Sequence, residues 1–437
     1  MKEKKGLTKG LSFILSLFLV FIWFSSGDAI MLAVGTSNSS AKIRQQGKDN
    51  KAHIIQRDTN NKSVISQNGN SNIAVIKIQE GHFNKIKVVQ KGNSNKGNVS
   101  QWGVKSKVRL IQQGERNQGY IYQFGYEENN IKVKQDGIAN HVNTWQVEER
   151  QSSTKIKQEG SKNYINIGEA YGKNNEMNIY QEGKENRVES YWEGEGILSS
   201  KYSEVKVDQI GGYNKAYITQ FKEAGSKIRV SQKGDVNRAE LNQQVGEENE
   251  AVISQIGDFN HGVIYQTIRW GEEKEVENNF AKILQYGKGE TAGIGQTGMN
   301  NLATIRQMEG PNWGVVIQGG NNNIANVSQT STRSKVWVVQ LGDENEIEVL
   351  QGQVRNRVSV LQKGNFNKGE ITQTGQNNGI VLQQFEEENL AQLEQAGGSD
   401  NIIRVYQGGG YYTRVYQNGD LNSATVTQGQ EIRFKPF

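Results

Sequence analysis

Short runs in which every second residue is small or aliphatic follow one another along most of the chain. Counted from an asparagine as position 0, the even positions read Asn301, Ala303, Ile305, Gln307 in one run and Asn345, Ile347, Val349, Gln351 in another; a third reads Asn378, Ile380, Leu382, Gln384. The odd positions are mixed and mostly polar, as in Leu302, Thr304, Arg306 and in Lys215, Tyr217, Thr219. Period two marks a strand with one covered face. The three- and four-residue apolar spacing of a helix is missing.

The runs are joined by one phrase, Gln-x-Gly-x-x-Asn, which occurs 18 times in strict form. Gln45, Gln67, Gln90, Gln112, Gln135, Gln158 and Gln181 stand 22 or 23 residues apart, with weaker copies halfway between at Gln56, Gln79, Gln101, Gln123 and Gln146, of which only Gln79 is strict. Each half-repeat holds one short strand and one tight turn, and two halves make one rung of a flattened helix. A fixed period of this length predicts a solenoid. The fold class expected is all-β, a β-solenoid of about 17 strand-turn-strand rungs, since Gln45 to Gln428 spans 383 residues.

The residues expected to hold this shape are the Gln, Gly and Asn of the phrase. They are Gln45, Gly47 and Asn50; Gln67, Gly69 and Asn72; Gln90, Gly92 and Asn95; Gln112, Gly114 and Asn117. Further along come Gln135, Gly137 and Asn140; Gln232, Gly234 and Asn237; Gln362, Gly364 and Asn367; Gln417, Gly419 and Asn422. A buried amide without a partner costs roughly 1–3 kcal/mol. In a stack of like rungs, each amide donates to one neighbour and accepts from the other, so an inward ladder of Gln or Asn satisfies itself. The glycine supplies the positive φ, or the close approach, that a tight turn needs.

Three intervals break the pattern: Glu193 to Ser203, Trp270 to Asn279 and Gly408 to Tyr412, each read as a turn bulging from the side. The division expected is residues 1–29 as a signal peptide, 30–41 as a short N-terminal segment, 42–430 as the repeat solenoid and 431–437 as a tail. Lys2, Lys4, Lys5 and Lys9 precede the apolar stretch Leu11 to Phe24, and Gly27 with Ala29 offers a small-residue cleavage pair. After cleavage no membrane span is expected, and the protein is expected to be secreted and extracellular.

Composition fits a chain that is strand almost throughout. There are 2 Pro, which would remove ladder hydrogen bonds, and 50 Gly. Hydrophobic residues make up 34% and mean hydropathy is −0.71, as expected where amides share the core with thin aliphatic layers. With 0 Cys there is neither a disulfide nor a thiolate metal site. A net charge of +5 predicts at most weak attraction to anionic surfaces and no specific nucleic-acid partner.

The repeat resembles that of the curlin family, whose form is Ser-x5-Gln-x-Gly-x-x-Asn-x-Ala-x3-Gln. Ala216, Ala239, Ala251, Ala303, Ala325 and Ala424 fill the alanine position here. The likeness extends over about nine-tenths of the chain, with many more repeats than familiar curli subunits, more outward charge and the leading Ser often replaced. It implies an extracellular functional amyloid of adhesion and biofilm matrix, assembled with copies of itself, a nucleator subunit or export machinery as partners.

Chemistry is otherwise sparse. His53, His82, His141 and His261 fall in different rungs, so no metal site is expected, and no cofactor motif appears. Acidic pairs at Glu127-Glu128 and Glu247-Glu248 and the run Glu386 to Glu388 read as solvated turns. Outward aromatics such as Tyr120, Tyr122, Tyr217, Tyr265, Trp337, Tyr406 and Tyr416 read as strand formers, with contact to a polysaccharide or surface as the functional alternative. Lys363, Asp235 and Glu182 read as charges that slow premature pairing. The expectation is a non-enzymatic structural subunit. The alternative is a soluble monomeric adhesin with capped ends, for which Pro436 in the tail is a candidate cap.

Overall fold

The computed structural model describes residues 29–33, 38–78, 80–170, 172–190, 197–198, 201–267 and 276–429. The expected signal peptide at 1–29 therefore lies outside the described residues except for Ala29, as do the tail 431–437 and most of the first two bulges.

Every described strand pairs in parallel with the strand one rung away. The first sheet starts at Ser40–Gln46 and holds 17 strands, ending with Tyr412–Asn418. The second starts its regular stack at Lys51–Gln56 and ends with Ser423–Gln428. The chain alternates between them, so each rung is one strand from each sheet. In the first sheet register holds from end to end: Gln45 pairs Gln67, Gln67 pairs Gln90 and, at the far end, Gln395 pairs Gln417. Ala29–Ala33 adds one strand beside Lys51–Gln56, so pairing begins before the expected boundary at residue 42.

Burial alternates as the period requires. In Leu302–Met308 the pattern is eBiBeBi, with Ala303, Ile305 and Gln307 closed off from solvent. The core is a narrow slot between two sheets, filled by Ile, Val and Ala in the middle of each strand and by amides at its corners. The alanine position of the repeat points inward, as Ala216, Ala239, Ala251, Ala303 and Ala325 all do.

The two corners differ. From first sheet to second, the step from the last inward residue to the corner residue is five in nearly every rung: Gln45 to Asn50, Gln158 to Asn163, Gln285 to Glu290, Gln351 to Asn356. Gln395 to Asn401, at six, departs from it. In the return corner the step is five at Gln101 to Ser106, six at Gln220 to Ser226 and thirteen at Gln266 to Asn279. The expected bulges at Trp270 to Asn279 and Gly408 to Tyr412 fall in the return corner, whereas the first interrupts the second sheet itself, between Ser190 opposite Ile218 and Leu198 opposite Phe221.

Two copies of the strict phrase mislead. Ile78, and not Gln79, is the inward residue that pairs Gln56 and Gln101; Gln79 lies outside the described residues. The inward set of that strand is Ala74, Ile76 and Ile78, and a one-residue slip would turn all three to solvent. The phrase starting at Gln244 likewise begins one residue late, because Gln243 holds the core position.

Candidate assembly site

The glutamine side chains of the first sheet form one unbroken column. Nε2 of Gln45 donates to Oε1 of Gln67 at 2.7 Å, Gln67 donates to Gln90 at 2.8 Å, and Gln90 to Gln112 at 2.8 Å. The same bond repeats through Gln135, Gln158 and Gln181, across the long step to Gln209, and through Gln232 and Gln255. It reaches Gln417 at 3.1 Å from Gln395. Every link points the same way, with the donor toward the C-terminal neighbour. Each Nε2 uses its second hydrogen on a backbone carbonyl, as Gln112 does with Asn117 and Lys96.

The uniform corner carries a second column of opposite sense. Nδ2 of Asn72 donates back to Oδ1 of Asn50 at 3.1 Å and forward to the carbonyl of Gly92 at 2.7 Å. Asn95, Asn117 and Asn140 repeat this, as do Asn214 and Asn237. Gly114 shows why the phrase needs glycine: its φ is +97°, and a Cβ there would lie 2.1 Å from the carbonyl oxygen of Gly137. Gly47, Gly69, Gly92, Gly137, Gly234 and Gly364 share that left-handed region, as does Gly419 in the last rung. Gln362, Gly364 and Asn367 belong to the return corner, so the expected set lies on both sides of the slot.

The second sheet's column is interrupted. Gln101 donates to Gln123 and Gln123 to Gln146, but Ile78 sits on the other side of Gln101. Oε1 of Gln101 and of Gln220, each at the start of a column segment, is buried with no donor, as is that of the isolated Gln56, whose Nε2 donates to Ser63 Oγ. Gln146 donates to Thr154 Oγ1. From Gln220 the column runs on through Gln243, Gln266 and Gln296 to Gln407 and Gln428.

Two kinds of structural residue escaped the reading of the phrase. One is the Asn or Asp just after the turn glycine: Oδ1 of Asn70 accepts from Lys48 N, Asp235 from Gly212 N and Asp343 from Asn321 N. Asp235 is thus a turn clamp. The other is buried glutamate at three corners. Glu149 accepts from Ser152 Oγ and Gly172 N, Glu223 from Ser226 Oγ and Asn249, and Glu290 from the N–H groups of Gly310 and Asn312. Burial pushes each of these carboxyls up to about 7. Of the outward aromatics, Tyr164 stacks on His141 at 5.0 Å and Arg187 lies 5.1 Å from its ring centre; burial lowers the pKa of His141. Among the described residues no three His, Asp or Glu side chains converge as a metal site would.

Among the described residues the slot is less closed at its two ends. Ala41, Ile43 and Gln45 in the first strand, and Ala424, Val426 and Gln428 in the last, are only half-buried, whereas their counterparts in the middle are closed.

The family model described as the curlin associated repeat matches residues 277–308. The chain carries a curlin repeat. The matched stretch spans one rung and a further strand, Phe280–Lys288, Thr291–Thr297 and Leu302–Met308, with Gln285, Gln296 and Gln307 in the columns. No curated protein matches the chain. The curlin repeat and the β-solenoid fit a curli-like structural protein.

Proposed function

We propose that this curlin-repeat chain is the subunit of an extracellular, curli-like fibre for adhesion and biofilm matrix, and that it grows by end-to-end stacking. The observation that carries the reading is the polarity of the first-sheet glutamine column. It presents an acceptor, Gln45 Oε1, at one end and a donor, Gln417 Nε2, at the other, beside half-buried aliphatic residues and strand edges that have one partner each among the described residues. A second copy stacked head to tail continues both sheets and the column in the same sense. The chain does no chemistry on this reading. It is exported with its signal removed, and its partners are copies of itself, with a nucleator subunit and export machinery as the accessory ones.

One observation favours the capped, monomeric adhesin instead: Ala29–Ala33 already covers Lys51–Gln56 at the N-terminal end of the second sheet. Dilution of the denatured mature chain into buffer separates the two. Unbranched fibres that grow faster with preformed seeds, give reflections near ~4.8 and ~10 Å, and fail to extend in an Ile43→Asp variant are expected. A chain that stays monomeric and cooperatively folded at high concentration sinks the fibre and supports the adhesin.

A further inference from the structure

The outward face of the first sheet is divided by charge. Its six strands from Ser40–Gln46 to Ser153–Ser161 carry twelve Lys or Arg and three acidic residues. The eleven from Glu176–Lys184 to Tyr412–Asn418 carry ten of each sign. Register turns the basic excess into columns of like charge. Lys62, Lys85 and Lys107 stand directly opposite one another in successive rungs. Beside them stand Lys87, Arg109, Lys132 and Lys155. All seven are exposed, and among the described residues none of them makes an ion pair. On the outward positions of these strands the pairs are those of Lys134 and Lys157 with Asp136 and Glu159.

Like charges opposite one another across a strand pair destabilise a sheet, and from Glu176–Lys184 onward on the same sheet they stop at pairs, Glu176 opposite Glu204, Lys206 opposite Arg229 and Glu348 opposite Glu370, with the opposite charge close by. Arg229 bridges Glu204 at 3.3 Å and Glu250 at 2.6 Å in the rungs on either side. Lys368 does the same between Glu346 at 3.2 Å and an acidic neighbour in its own strand, Glu370, at 3.6 Å. Solubility or protection against sideways pairing is served as well by such mixed columns. The unpaired columns therefore call for an external counter-charge.

We propose that this face binds a linear acidic polysaccharide with one carboxylate per sugar, lying along the solenoid axis. The cations repeat once per rung, at ~4.8 Å, in straight parallel lines on a flat sheet, which suits a ribbon-like chain with one charge per ring. Ten of the twelve cations are Lys, a strongly hydrated point charge without the planar fork that favours Arg for phosphate. The six strands contain no aromatic residue on which a nucleobase could stack. Duplex DNA offers a curved surface whose charges wind away from a flat lattice. The binding belongs to a single molecule and does not depend on polymerisation.

The test uses the full mature chain, polygalacturonate as the probe, neutral dextran and duplex DNA as comparators, and two double variants. Lys85→Glu/Lys132→Glu places one acid between two cations in each column, so its unfolding midpoint should equal or exceed that of the parent. Lys335→Glu/Arg357→Glu, on the second sheet, is the control. Expected are binding to polygalacturonate but not dextran, weakening as ionic strength rises, and a loss of at least about tenfold in the first variant against less than about twofold in the control. Equal affinity for dextran, or equal loss in both variants, overturns the proposal. Tighter binding of duplex DNA than of polygalacturonate, abolished by the same first variant, also overturns it and assigns the face to nucleic acid.

Discussion

The two sheets of this solenoid are built from the same half-repeat, yet one tolerates defects and the other almost none. The first-sheet column runs from Gln45 to Gln417 without a missing member, and the corner that follows it keeps its five-residue step in nearly every rung. The second-sheet column breaks at Ile78, and the long insertions fall within that sheet after Ser190 and in the corner after Gln266. A column of amides is satisfied only in its interior, so one gap leaves an acceptor without a donor, as at Gln101 and Gln220. Concentrating insertions on one side confines those orphans there and leaves the other column continuous. The insertions leave register in the first sheet unchanged, since Gln181 still meets Gln209 and Gln255 still meets Gln285.

The largest expected effect comes from breaking the intact column. Gln232→Leu strips the donor from Gln255 and the acceptor from Gln209, and should lower stability by about 4 kcal/mol in chemical unfolding. Gln56→Leu, at a place where Oε1 already lacks a donor and Ile78 is the neighbour, should cost less than about 1 kcal/mol. Similar costs would mean that the columns do not act as continuous units.

Glycines sharpen the contrast between corners. Gly114→Ala drives a Cβ into the Gly137 carbonyl and should cost about 3 kcal/mol in thermal unfolding. Gly225→Ala in the return corner meets nothing closer than the Glu248 side chain at 3.4 Å, and should cost about 1 kcal/mol from its φ of +65°.

The buried Glu223 makes the return corner sensitive to pH. Its carboxyl titrates at about 7 in the fold against an ordinary value of 4.5, because burial disfavours the charge. The folded state therefore holds the proton more tightly than the unfolded chain. Its contribution is full below pH 4.5 and is lost as pH rises through 7. Glu223→Gln should flatten that loss and exceed the parent at pH 8 by up to about 3 kcal/mol. A parent whose stability stays flat or rises from pH 5 to pH 8, with no gap to the variant, would contradict this.

The smallest effect concerns the residue before each corner asparagine, which sits in the left-handed region although it is seldom glycine. Val236, with φ of +60°, is β-branched and poorly suited to it. Val236→Gly should stabilise by about 1 kcal/mol, measured as a rise in melting temperature.

Much of this was open to reading in the sequence because parallel in-register stacking makes every rung's chemistry repeat. Period two told which residues face inward, and the phrase told where turns lie. Reading failed where two local signals competed. At Gln79 the phrase favoured glutamine and the strand's parity favoured Ile78, and parity prevailed because Ala74 and Ile76 would otherwise face water. Glu149, Glu223 and Glu290 gave no signal, since a glutamate in a turn looks the same solvated or buried until its neighbours are placed. Net charge concealed the basic face, because a sum over the chain cannot record which charges share a sheet.

The sequence by itself determined the half-repeat, the two-faced strand, the amide columns and the glycine turns, all of which follow from neighbours within about a dozen residues. Only the tertiary structure decided which glutamine meets which, where a column starts with an orphaned acceptor, which side of the slot absorbs the long insertions and which charges line up. Those depend on register between strands 22 to 30 residues apart, and register is set by the whole stack closing its slot at once.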